Sequence, residues 1–185
     1  MAVTFDEAIS RGRLRPFQWA TFAVCMLVLV GDGIDLQLLG LVAPVIIEDW
    51  GVDRGSFGWA MSAALVGMGI GAWLGGSIGD RVGRRNALAA AALVFGLATL
   101  AASRADTIPA MTGFRFVGGL GFGAAFPNSL ALTSEWLPER WRSYAITALS
   151  VGTPAGGSVA AALAPDLLAA YGWRGTFVVF GLATL

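Results

Sequence analysis

Apolar residues arrive in long blocks along this chain, and polar residues gather between the blocks. Five blocks are complete, at about 17–41, 57–78, 87–102, 108–132 and 144–164. A sixth starts near Gly175 and reaches Leu185. Blocks of about 20 apolar residues have the length of a helix that crosses a bilayer. They are too long and too evenly apolar for barrel strands, which alternate over about 10 residues. The pattern predicts an all-α membrane protein. The sixth block supplies about 11 residues where about 20 are needed to cross, so the chain is expected to continue past Leu185.

Composition sharpens this picture. The chain is 56% hydrophobic and 13% charged, against about 25% charged in soluble domains. The formal net charge is zero, so no nucleic-acid partner is expected. All the basic residues are arginine, and His is absent. The usual general base and metal ligand are therefore missing. Cys25 stands alone, which excludes an intrachain disulfide and reads as a small buried hydrophobe. No metal, no cofactor and no enzyme chemistry are expected.

Arginine placement sets the orientation. Arg11, Arg13 and Arg15 precede the first block; Arg81, Arg84 and Arg85 follow the second; Arg140 and Arg142 follow the fourth. The alternate connections hold Arg54, Arg104 and Arg174. The positive-inside rule then puts the N-terminus in the cytoplasm of a multi-pass inner-membrane protein. Residues 1–16 read as a cytoplasmic segment and 17–185 as the membrane region. The Arg-flanked first block is too long for a cleaved signal and reads as a retained span.

Charges inside the blocks carry the candidate chemistry. The stretch 17–47 contains Asp32 and Asp35 and no other charge, and the fourth block contains Arg115. Ionisable groups at such depth are costly and mark pathways by default. At 1.5 Å per residue, Asp32 lies about 22 Å into the first helix and Arg115 about 12 Å into the oppositely directed fourth, so these two are expected to meet. Asp35 is one turn further on, either in the same cavity or solvated near the outer surface. Arg115 offers a planar fork of donors for a carboxylate substrate. Asp32 and Asp35 are candidates for carrying a coupled proton, because charge and burial nearby alter a carboxyl's proton affinity. The alternative is a static ion pair that fixes helix packing. Asn128, near the inner end of the fourth block, is either a polar contact for substrate or a packing residue. Pro154 predicts a kink in the fifth block.

Between the second and third blocks the chain reads Gly76-Ser-Ile-Gly-Asp80-Arg81-Val-Gly83-Arg84-Arg85. Gly83 permits a tight turn, and Asp80 can pair with arginine or cap a helix. This stretch resembles the signature loop of the major facilitator superfamily. Asp32-Gly33-Ile34-Asp35 in the first block, and Arg115 through Pro127-Asn128 to Thr133-Ser134-Glu135 in the fourth, narrow the resemblance to its aromatic acid:proton symporters. The resemblance implies the N-terminal six-helix half of a twelve-helix transporter, made of two inverted three-helix repeats with the sixth helix incomplete. It implies a missing C-terminal half as partner and inward transport of benzoate-type or hydroxybenzoate-type carboxylates by alternating access. It places proton coupling on Asp32 and Asp35, substrate binding on Arg115, and gating on Gly76, Asp80, Arg81, Gly83, Arg84 and Arg85. Glu135, Arg140 and Arg142 in the next inner loop are expected to pair with Asp80 and Arg84 as a latch. Two other readings stay open: a facilitator or exporter of another organic anion, and a fragment that does not transport.

Overall fold

A computed structural model describes residues 15–185; Arg11, Arg13 and the rest of the expected N-terminal segment up to residue 14 lie outside them. Five helices follow one another: α1 (Pro16–Trp50), α2 (Arg54–Val82), α3 (Arg84–Ala102), α4 (Ile108–Trp136) and α5 (Glu139–Ala183). No strand occurs among the described residues. At 45 residues, α5 is too long for one crossing, and it breaks at Gly172, where φ is 65° and ψ is −178°. Its two parts, 139–171 and 173–183, are the fifth span and the start of the sixth. The break lies at Gly172 because a positive φ is accessible to glycine at little cost. The backbone through Pro154 stays helical, so the bend expected there is not what divides the segment.

Each of the first five spans is longer than its apolar block. Helix α1 continues past Leu41 through Pro44 to Trp50, where Gly51 caps it at φ 60°. Backbone hydrogen bonding does not stop where the apolar block does, and the helix runs on through polar residues until a capping signal ends it. Helix α2 starts at such a signal. The Asp53 carboxylate accepts from the backbone N–H groups of Gly55 (2.7 Å) and Ser56 (3.0 Å). These bonds, led by that from Gly55, hold the carboxyl below its usual range. Four of the helices are long and apolar enough to cross a membrane, and α4 is not one of them. It carries Arg115, Asn128 and a run of glycines, and it packs against α2, α3 and α1.

Two close pairs organise the bundle: α2 with α4, and α1 with α5. The pairing has the symmetry of an inverted repeat. If α1–α3 and the segment from α4 onward are equivalent, exchanging them turns one pair into the other. Small residues bring each pair together. A Cβ at Gly71 would lie 2.2 Å from the Leu120 carbonyl oxygen, and one at Gly156 would lie 1.9 Å from that of Val30. Such approach leaves no room for a methyl group, and dispersion between backbones replaces the hydrophobic drive that lipid does not supply. Helix α3 closes the bundle against α4 and against residues 173–185.

Replacing Gly71 tests this packing. Gly71→Val should force α2 from α4 at a cost of about 1–3 kcal/mol, read as a lowered thermal unfolding midpoint in detergent. Gly69→Ala, where a Cβ meets nothing within 4 Å, should leave the midpoint unchanged or raise it slightly.

Candidate functional site

Arg115, from the second turn of α4, is 2% exposed although it is among the largest buried side chains. Its Nη1 donates to Asp35 Oδ2 on α1 at 2.7 Å. Asp35 is 9% exposed. Its other oxygen, Oδ1, accepts from the Thr99 hydroxyl of α3 at 2.9 Å. Arg115 Nη2 lies 3.5 Å from the same hydroxyl oxygen, and its guanidinium sits 5.3 Å from the Phe177 ring centroid. Four segments therefore meet at one charge pair.

The partner differs from the expected one. Asp35, not Asp32, faces Arg115, and Asp35 is largely buried. One helical turn separates the two acids, about 4.5 Å along the axis. An arginine side chain spans more than that, so helix rise alone does not choose between them. Asp32 lies within the bundle at 1% exposure, and its Oδ2 has no hydrogen-bond partner among the described residues. The residues beside it press on α5: a Cβ at Gly33 would meet the Thr153 carbonyl oxygen at 1.9 Å. Arg115 Nε is likewise without a partner among the described residues.

A recess of about 170 Å³ adjoins the pair. Asp35 and Arg115 form its polar wall; Leu39, Met61, Leu65 and Phe122 form its apolar wall. A charged fork beside an apolar slot is suited to a flat, apolar carboxylate. A larger groove of about 760 Å³ runs between α1 and α3, away from these charges, and is lined by apolar side chains with Arg85 at its edge.

Asn128 is fully buried on α4. Its Nδ2 donates to the Gly75 carbonyl of α2 at 2.9 Å and to the Ala124 carbonyl at 2.8 Å. The side chain thus clasps α2 to α4 and does not line the recess, which is the packing arrangement of the two left open by the sequence. A buried amide takes the nearest free carbonyls, and the glycine-lined approach of α2 supplies one.

The arginine-rich turn brings four of its expected members together. Arg84 pairs with Asp80 on the preceding helix. It also donates to the Gly76 carbonyl at 3.3 Å and lies 3.6 Å from Glu135 of α4. Gly83 makes the turn at φ 89°. Arg81 and Arg142 are exposed. Arg140 lies over the Trp141 ring.

Residues with no role in the sequence reading complete the frame. Thr99 is the one hydroxyl in the apolar block 87–102, a signal that was present and overlooked. At the opposite end from the arginine-rich turn, Trp173 Nε1 donates to Asp49 at 3.1 Å. Arg174 binds the carbonyls of Ser103 and Ala105 and the Asp106 carboxylate at 2.7–3.0 Å.

The chain is 41% identical over 184 residues to the 4-hydroxybenzoate transporter PcaK of Acinetobacter baylyi, covering 100% of this chain and 39% of that protein. It is 40% identical over 176 residues to PcaK of Pseudomonas aeruginosa, covering 93% of this chain and 38% of that protein. The chain thus spans about two fifths of the length of these relatives. The fold matches the solved proton:xylose symporter XylE with a TM-score of 0.81 at 20% identity, over 91% of this chain and 42% of that one. These relatives are transporters and not enzymes. The Major Facilitator Superfamily model matches residues 25–185. With a buried charge pair, an Asp-Arg turn and paired inverted repeats on one chain, this multi-pass membrane protein belongs to the Major Facilitator Superfamily.

Proposed function

We propose that this chain is the N-terminal half of a proton-coupled importer of aromatic carboxylates, set in the inner membrane with its arginine-rich end in the cytoplasm. The observation that carries the reading is the buried Asp35–Arg115 contact at 2.7 Å beside an apolar recess. The roughly 40% identity to 4-hydroxybenzoate transporters supports the substrate class.

The mechanism follows from exchange at Arg115. A guanidinium binds one carboxylate well and two only with repulsion between them. A substrate carboxylate arriving in the recess competes with Asp35 for the same fork. When Asp35 takes up a proton it gives up its claim, and the substrate replaces it as the counter-charge. Arg115 is then never left bare in a low-dielectric site. The apolar wall receives the ring. Asp32, one turn away and without a partner, is the second carboxyl through which the proton passes. The other half of the transporter, beyond this chain, closes the cavity, and alternating access is a rocking of the two halves.

The Asp80–Arg84–Glu135 cluster ties α2, α3 and α4 together at the cytoplasmic side and is the inner latch. Arg81, Arg85, Arg140 and Arg142 surround it as anchoring charge. Asn128 acts as a helix clasp.

Two experiments on the full-length reading frame, reconstituted in liposomes, test this. Arg115→Ala should weaken binding of labelled 4-hydroxybenzoate at least tenfold, since a charge-assisted bond worth about 1.5–3 kcal/mol is lost. Asp35→Asn should keep binding and lose accumulation driven by a pH gradient. Gradient-driven accumulation persisting in both variants sinks the site, and uptake without proton flux in the unmodified protein makes it a facilitator. Asp80→Lys should slow transport about tenfold with equilibrium binding intact, because exposed pairs contribute little to folding. Lost binding in a folded Asp80→Lys protein would refute the latch.

A further inference from the structure

We infer that Thr99 is a positioning residue for the coupling carboxyl, holding Asp35 through its hydroxyl in both the paired and the released state. This deepens the reading given above and rests on Asp35 as the proton carrier. The Thr99 hydroxyl lies 2.9 Å from Asp35 Oδ1, 3.1 Å from the Phe95 carbonyl oxygen and 3.5 Å from Arg115 Nη2. It is 1% exposed, so protein groups supply its partners.

A hydroxyl has one hydrogen to donate and two lone pairs that accept. The single hydrogen cannot serve Asp35 and Phe95 at once, and the geometry offers both. With Asp35 charged, the hydrogen points to Asp35 Oδ1 and a lone pair faces Arg115 Nη2. The charged pair and the hydroxyl then form a closed ring. When Asp35 takes a proton from the medium and Arg115 turns to the substrate, the hydrogen swings to the Phe95 carbonyl. The Thr99 oxygen then accepts from the new carboxylic O–H. Each state leaves the Thr99 hydroxyl and Asp35 hydrogen-bonded, and the part of Thr99 in the change is rotation about one C–O bond. The Arg115–Asp35 ion pair breaks as the Arg115–substrate pair forms. When the proton leaves to the cytoplasm and the substrate departs, the ion pair re-forms and the hydrogen returns. The O–H bond of Asp35 is the only covalent bond that forms and breaks.

Among the described residues, the hydrogen bonds to Asp35 come from Thr99 and Arg115. The charged groups facing it are Arg115 from α4 and Asp32 from its own helix; α2 presents Met61, Ala64 and Leu65, and the last segment presents Phe177 against Arg115. A bond to the charged form is roughly twice as strong as one to the neutral form. Loss of the hydroxyl therefore alters the balance between the two states and with it the pH dependence of uptake.

The test uses the full-length protein in liposomes, with Thr99→Val and Thr99→Ala as hydroxyl-free variants and Thr99→Ser as the rescue. Both hydroxyl-free variants should bind labelled 4-hydroxybenzoate within about threefold of wild type. Their gradient-driven accumulation should fall about tenfold or more, with a changed pH profile of uptake. Thr99→Ser should restore both. Wild-type accumulation and pH profile in the hydroxyl-free variants, or a serine variant as impaired as valine, overturns the inference. If valine prevents folding, alanine decides alone, because it removes the hydroxyl without adding bulk. Failure of wild type to accumulate the labelled acid against the gradient removes the underlying reading and this inference with it. A normal wild type with unaffected Thr99 variants removes only the role of Thr99.

Discussion

A guanidinium and a carboxylate held 2.7 Å apart inside an apolar bundle govern the rest of this structure. Neither charge is tolerable there alone. Removing one partner of a buried pair costs about 3–5 kcal/mol, because the other is left uncompensated. The contact therefore holds α1 and α4 at fixed height, draws Thr99 of α3 beside it, and brings the Phe177 ring over the guanidinium. The same cost gives the site its chemistry. A bare guanidinium at that depth is costly, so electrostatics favour an anionic partner for Arg115.

The position of that contact within the bundle matters as much as its strength. The α1–α5 and α2–α4 pairs are zipped by backbone approaches that exclude a methyl group. Asp35 belongs to the first pair and Arg115 to the second, so the charge pair spans the seam between them. The seam is polar at its arginine-rich end as well, where Gln18 of α1 donates to the Trp136 carbonyl of α4 at 2.7 Å. At the opposite end, the Asp49–Trp173 bond and the Arg174 cluster fix the corners where α1, α3 and the last segment meet. The close pairs and the hydrogen-bonded seam fix the positions of the groups that line the charge pair.

Much of this was legible in residue order. Block length required helices, and the Asp-Arg turn at Asp80–Arg85 placed the second connection. The isolation of Asp32, Asp35 and Arg115 in apolar blocks marked them before any geometry was known. The pairing of the charges was not legible: Asp32 and Asp35 differ by one turn, less than the reach of an arginine. Residue order left Asn128 open between a substrate contact and a packing role, and its hydrogen bonds follow from the approach of α2. The break at Gly172 falls between the fifth and sixth apolar blocks, where residue order had separated them.

Residue order alone established which segments enter the membrane, which groups are charged inside it, and where the chain turns. These depend on local quantities: transfer of side chains from water, helix rise, and the backbone freedom of particular glycines. Tertiary structure alone decided that Asp35 takes Arg115, that Asp32 Oδ2 has no hydrogen-bond partner among the described residues, that the Thr99 hydroxyl lies beside Asp35, and that the Asn128 amide donates to a carbonyl of α2. Those outcomes depend on ångström-scale alignment between helices far apart in the chain, which packing of small residues sets and no single segment encodes.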